Sequence, residues 1–170
     1  EDVLKRFHDA AVYFDADIVV RITADDPFKD PHIVDRVINP LVVDHCVDYA
    51  SNTLTPSFPE GADVEVIRRS ALVRAHIEAR LESDREHVTP YIWRNRDDFE
   101  VVEIVSQQDY SRWRWTIDYE DDLTFANALF AKVNGRWDAP YDELVAACAQ
   151  NPELVQINSG IVRNEGYIKS

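Results

Sequence analysis

Short β-branched runs alternate with longer stretches of helical period along most of the chain, and this alternation restricts the fold more than any other feature. Residues 2–15 place Val3, Leu4, Phe7, Ala10, Ala11 and Phe14 on one helical stripe. Asp17 to Thr23 then reads as a buried strand around Ile18-Val19-Val20. Asp30-Pro31 has the chemistry of a helix start, and Ile33, Val34, Val37 and Ile38 follow at helical spacing before Pro40. Asp48 to Ser51 is a short strand candidate, and Asp63 to Ile67 alternates like a strand with one polar face. A helix is expected from a Ser70 cap to Leu81, with a capping box at Ser83 and Glu86. Further strands are expected at Phe99–Val105 and Arg112–Ile117, and helices at Asp118–Asn134, closed by Gly135, and at Tyr141–Gln150. The reading is one α/β domain over residues 1–170 with a largely parallel sheet.

Composition removes several function classes. The formal charge of −14 disfavours broad binding to nucleic acid or to an anionic membrane, since both need Lys/Arg clusters. No apolar run approaches the ~20 residues of a membrane span, and no signal peptide is visible. Cys46 and Cys148 have neither disulfide nor zinc spacing, so buried, reduced thiols and a cytoplasmic setting are expected.

The residues of chemical interest lie at strand exits. Asp25 follows Arg21-Ile22-Thr23-Ala24, and Asp118 follows Arg114-Trp115-Thr116-Ile117. Ligands of open α/β sheets bind at the carboxyl ends of strands, and two carboxylates there can share a hard cation such as Mg²⁺ with substrate phosphates. The plain alternative is that both aspartates cap helices. Asp63 and Glu65 share one strand face and read either as sugar or metal contacts or as a solvated edge. Asn52 closes a strand and opens the irregular Asn52–Ala62 loop. Arg85, Glu86 and His87 form a charged cluster that reads either as a carboxylate contact through Arg85, with His87 polar or acid–base, or as helix capping plus a surface ion pair. Arg21 and Arg114, each four residues before an aspartate, suit either a phosphate contact or an internal ion pair. Trp113 and Trp115 read as core or dimer surface rather than as a stacking platform.

Several of these stretches, in order, resemble one family. Arg21-Ile22-Thr23-Ala24-Asp25-Asp26-Pro27 is similar to its Arg-Ile-Thr-Gly-Asp-x-Pro turn. Tyr49-Ala50-Ser51-Asn52-Thr53-Leu54, Phe58 to Val66, and Arg85-Glu86-His87-Val88-Thr89-Pro90-Tyr91-Ile92 resemble its next blocks. Arg114 to Asp118 with Glu120 to Leu123 resembles the last, and Arg163-Asn164-Glu165-Gly166-Tyr167 is similar to an ending of some members. The chain thus resembles the spore-coat polysaccharide (SpsF-type) cytidylyltransferases, relatives of the enzymes that activate acylneuraminate and Kdo sugars.

The resemblance implies a Rossmann-like, three-layer nucleotidyltransferase fold, also called the nucleotide-diphospho-sugar transferase fold. It also implies transfer of CMP from CTP to a sugar acid with Mg²⁺ held by Asp25 and Asp118, Arg85 orienting the sugar carboxylate. Nothing in the chain matches the family's early strand and Gly-containing basic loop that cradles the CTP phosphates. The matching region is therefore expected to be an N-terminally truncated, C-terminal two-thirds of the fold, with a non-catalytic binding or assembly module as the alternative reading. A sheet shortened in this way exposes an edge, and a homodimer is expected to cover it.

Overall fold

A computed structural model describes residues 2–136 and 138–163. Among these the chain runs α1 (Val3–Tyr13), β1 (Ile18–Arg21), α2 (Pro31–Val43), β2 (Tyr49–Ser51), β3 (Glu65–Arg68), α3 (Arg69–Glu78), α4 (Glu82–His87), α5 (Pro90–Arg94), β4 (Val101–Glu103), α6 (Glu120–Lys132), α7 (Tyr141–Gln150) and α8 (Pro152–Gln156). The strands form one sheet in the order β1-β3-β2-β4. β2 pairs with β4 in parallel, while β3 lies antiparallel between β1 and β2. Three of the four strands therefore point the same way, and the α/β class holds with a mixed sheet.

Strand alternation divides the core into two halves and makes three layers. On one face Ala50 and Val66 join Val37, Leu41, Trp115, Phe125, Leu129 and Leu144 under α2, α6 and α7. On the other face Tyr49 and Ile67 join Leu4, Leu72, Ala75, Val88 and Ile92 under α1, α3, α4 and α5. The expected polar face of the Asp63–Ile67 strand is absent, because helices cover both sides and Glu65 is buried.

Asp30 ties the two ends of the domain. Its carboxylate accepts from the His32 amide at the start of α2 and, 111 residues away, from the Tyr141 amide at the start of α7. Carboxylates suit helix N-termini, where amides lack partners and the helix dipole is positive.

Other local expectations shift. α3 begins at Arg69 with Arg68 at its cap, and α4 begins at Glu82, so neither Ser70 nor Ser83 caps a helix. Cys148 is buried as expected, but Cys46 is exposed in the turn after α2, where its amide donates to the Asp44 carboxylate. Among the described residues no helix is long and apolar enough to cross a membrane.

The largest departure concerns Arg112–Ile117. This segment is not a ladder strand but makes one parallel bridge between Arg114 and Glu60. The Trp115 amide donates to the Glu60 carbonyl, and the Ile117 amide donates to the Asp25 carbonyl. Gly61 makes the approach possible. Its φ is +97°, and a Cβ there would lie 2.5 Å from the Thr116 nitrogen and 2.7 Å from the Trp115 carbonyl carbon. Gly61→Ala is expected to cost at least about 2 kcal/mol in urea unfolding, from backbone strain plus the clash. A change below about 0.5 kcal/mol would contradict this packing.

Candidate active site

The Ile117–Asp25 backbone bond brings the two aspartates named from the sequence to neighbouring positions at the end of β1. The Asp25 side chain is exposed and no partner engages it among the described residues. Asp118 is half exposed and accepts from Arg114.

Behind Asp118 lies a buried ionic cluster. Arg114, 6 % exposed, donates to Asp122 at 2.9 and 3.1 Å, to Glu60 at 2.8 Å and to Asp118. Asp122 is fully buried and also accepts from the amides of Asp118 and Tyr119 and from Asn158. Burial pushes the Asp122 carboxyl up, but Arg114, Asn158 and the Asp118 amide together hold it below its ordinary value. Burial likewise opposes the Arg114 charge, yet Asp122 and Glu60 raise the guanidinium above its ordinary value. Of the two readings of Arg114, the internal ion pair is the arrangement found, and it includes Asp118.

A cleft of ≈ 520 Å³ lies past the end of β1; Thr23, two residues before Asp25, is in its lining, whereas Asp25, Asp118 and Arg114 are not. Arg21 and Thr23 from β1 and its exit, and Asp63 and Glu65 at the start of β3, contribute to its lining. Thr53, Leu54 and Pro56 of the loop after β2 form a second wall, and His87, Thr89, Pro90, Trp93 and Arg96 a third. Arg163, near the end of the described residues, completes it. Arg21, Asp63, Glu65 and His87 thus share one lining.

Each wall has a local cause. Arg21 lies opposite Glu65 in the β1–β3 register, and their side chains meet at 2.5 Å. Tyr49 and Thr89 hydroxyls donate to the other Glu65 oxygen at 2.5 and 2.6 Å. Glu65 is therefore a saturated buried anchor that fixes Arg21 and Thr89. The third wall depends on Val88, which has φ +75° and ψ −52° while the Thr89 amide donates to the His87 carbonyl at 2.9 Å. This is a γ-turn in the rare, strained sense, costing about 1–3 kcal/mol for a β-branched residue. The fully buried Val88 side chain holds it in place, and the turn sends both flanking residues, His87 and Thr89, to the cleft. Burial pushes the His87 imidazole below its ordinary value, so it is neutral at neutral pH. Burial also pushes the Asp63 carboxyl up to about 6, against the pull of Arg163 and Lys29.

Three named residues stand elsewhere or serve the scaffold. Arg85 is not in the cleft lining: it donates to the His76 carbonyl and to Asp2, tying α4 to α3 and to the cap of α1. Arg85 and His87 are two residues apart on α4, so they project from nearly opposite faces and serve different surroundings. Asn52 is buried and bridges its loop, donating to the Ala62 carbonyl and accepting from the Val64 amide. Glu86 is half-buried beside His87, whose imidazole its charge raises, and is not in the lining. The sequence reading missed Thr23, Lys29, Thr53, Thr89, Trp93, Arg96 and Arg163 as site residues. Arg163 and the threonines lay within the quoted blocks, whereas Trp93 and Arg96 carry no spacing signal because α5 is a single short turn. The rest of the Arg163–Tyr167 block lies outside the described residues.

Both metal-candidate side chains offer hard carboxylate oxygens, and Asp25 is unengaged, which fits Mg²⁺. Among the described residues no group of three or more His, Cys, Asp or Glu is placed to hold a metal. A cation at Asp25 and Asp118 would thus complete its shell with water and ligand oxygens, as Mg²⁺ does at phosphate-transfer sites.

No protein-family model matches the chain. An uncharacterized protein of Methanocaldococcus jannaschii is 31% identical over 98% of this chain and 67% of its own length. The spore coat polysaccharide biosynthesis protein SpsF of Bacillus subtilis is 31% identical over 90% of this chain and 63% of its own. The solved structure of a cytidylyltransferase from Leptospira borgpetersenii superposes with a TM-score of 0.87 at 28% identity, covering 91% of this chain and 65% of that one. The chain thus spans about two-thirds of the length of these relatives. With the strand-exit aspartates, the cleft and these likenesses together, the chain belongs to the SpsF-type cytidylyltransferase family.

Proposed function

We propose that the chain carries the sugar side of a cytidylyl-transfer site that joins CMP from CTP to a sugar acid in polysaccharide biosynthesis. The observation that carries this reading is the Ile117–Asp25 backbone bond, which sets Asp25 and Asp118 at neighbouring positions just past Thr23, a lining residue of a cleft that holds threonines and arginines. In the reaction a sugar hydroxyl oxygen bonds to the α-phosphorus of CTP, the bond to pyrophosphate breaks, and the hydroxyl proton leaves. Asp25 and Asp118 would hold Mg²⁺, which supplies charge neutralisation at the phosphate oxygens when bound. Arg114 holds Asp118 in place by a bond rooted in the buried Asp122 and Glu60. The Thr23, Thr53 and Thr89 side chains line the space where sugar hydroxyls would lie. The neutral His87 imidazole is the base in that space suited to receive the proton.

Asp25→Asn and Asp118→Asn are each expected to lower pyrophosphate release from CTP by at least about 100-fold in the presence of Mg²⁺ and an acidic sugar. Equal turnover by wild type and both variants would remove the aspartates from the mechanism.

The outer edge of β1 is unpaired among the described strands, and Tyr13 at the end of α1 and Phe14 at its cap, just before β1, are strongly exposed. Pairing with a second copy would cover such an edge. Light scattering of the chain is expected to give the mass of a dimer, and a monodisperse monomer would count against the homodimer.

A further inference from the structure

We infer that Arg163 takes the carboxylate of the acidic sugar, and that Asp63 holds its place while the cleft is empty. The inference rests on the sugar-acid reading above and assigns the orienting role that Arg85 does not fill.

Charge points to an anionic ligand. In a chain of net charge −14, this cleft sets three arginines, Arg21, Arg96 and Arg163, against two carboxylates, Asp63 and Glu65. The three arginines are not equivalent. Arg21 is bound to Glu65, and releasing it would leave a buried carboxylate without its cation. Arg96 stands toward the far side, 3.4 Å from Glu103 of β4. Arg21, Glu65, Ser51 and Glu103 form one row across the sheet. Three strand spacings, roughly 14 Å, therefore separate the β1 and β4 ends of that row. Arg163 lies on the Asp25 side. Lys29 joins the carboxylate of Asp26 to the carbonyl of Asp63, and Asp63 pairs with Arg163. In 2-keto sugar acids the anomeric hydroxyl sits on the carbon next to the carboxylate. A cation that holds the carboxylate must then stand close to the corner where the phosphates meet Asp25 and Asp118. With Arg21 held by the buried Glu65, Arg163 is the remaining cleft arginine linked to that corner.

Its hydrogen bonding leaves one edge incompletely used. Nη1 donates to the carbonyls of Phe58 and Ser111 at 3.0 and 3.3 Å, which fixes the plane of the guanidinium. Nη2 meets a single Asp63 oxygen at 3.2 Å, long for a charge-assisted bond. Nε, on the same edge as Nη2, is buried without an acceptor among the described residues. That edge is the fork that a carboxylate fills with two parallel bonds. When a ligand carboxylate fills it, Asp63 loses Arg163. The groups still facing Asp63 are Lys29, the Gly61 amide and Asp26. Its carboxyl, already raised by burial, then gains a proton near neutral pH.

Calorimetry without CTP and with EDTA tests this, using N-acetylneuraminate and 3-deoxy-manno-octulosonate, each beside its methyl ester. The wild type is expected to bind at least one acid about 10- to 100-fold more tightly than its ester. Arg163→Gln should erase that preference, and Arg96→Gln should keep it. At pH 6.5, in buffers of different ionisation heat, acid binding should take up protons in the wild type and not in Asp63→Asn. Circular dichroism checks that each variant is folded. Equal binding of acid and ester by the wild type, no binding of either acid, a preference that survives Arg163→Gln, or proton uptake unchanged in Asp63→Asn would each overturn the inference. An intact acid preference without CTP turnover would instead sink the catalytic reading alone.

Discussion

The buried guanidinium of Arg114 is the interaction on which the site depends. One cation faces three carboxylates contributed by the Glu60 loop, the Asp118 turn and the first turn of α6. Such a cluster is expensive to desolvate, and removing one partner from it typically costs about 3–5 kcal/mol. Its value is positional. Asp122 and Glu60 fix Arg114, Arg114 fixes Asp118, and the neighbouring Ile117 amide fixes the backbone of Asp25. The exposed pair is therefore held by a buried, ion-paired interior.

A second, parallel arrangement builds the cleft. Glu65 is buried and saturated, and through Arg21, Tyr49 and Thr89 it joins the sheet to the wall that begins at Val88. The strained turn at Val88 buries its own side chain and leaves both neighbours, His87 and Thr89, on the cleft. Strain of this kind persists only where the surroundings determine the backbone, and the packed Val88 side chain provides that.

Periodicity in the sequence marks the elements that bury a stripe or alternate across a sheet. Tyr141–Gln150 matches α7 residue for residue, and Asp30-Pro31 marks the start of α2. Arg112–Ile117 has the composition of a strand but makes only one bridge, because its neighbour is a loop held close by Gly61 rather than a ladder partner. The same limit applies to the site. Arg21, Asp63, Glu65 and His87 are legible because strand exits and family blocks point to them. Arg85 reads the same way, yet it lies on the face of α4 that meets α3 and the cap of α1. Trp93, Arg96 and Lys29 become site residues only through tertiary contact, which local sequence does not encode.

The central claim is that Asp25 and Asp118 share one divalent cation. Mn²⁺, a paramagnetic substitute for Mg²⁺, tests it directly by amide NMR of the labelled chain. At substoichiometric Mn²⁺ the amide signals of Asp25, Ile117 and Asp118 should broaden first, and Asp118→Asn should abolish that local effect. Broadening spread over the acidic surface, or unchanged in the variant, would contradict a shared site.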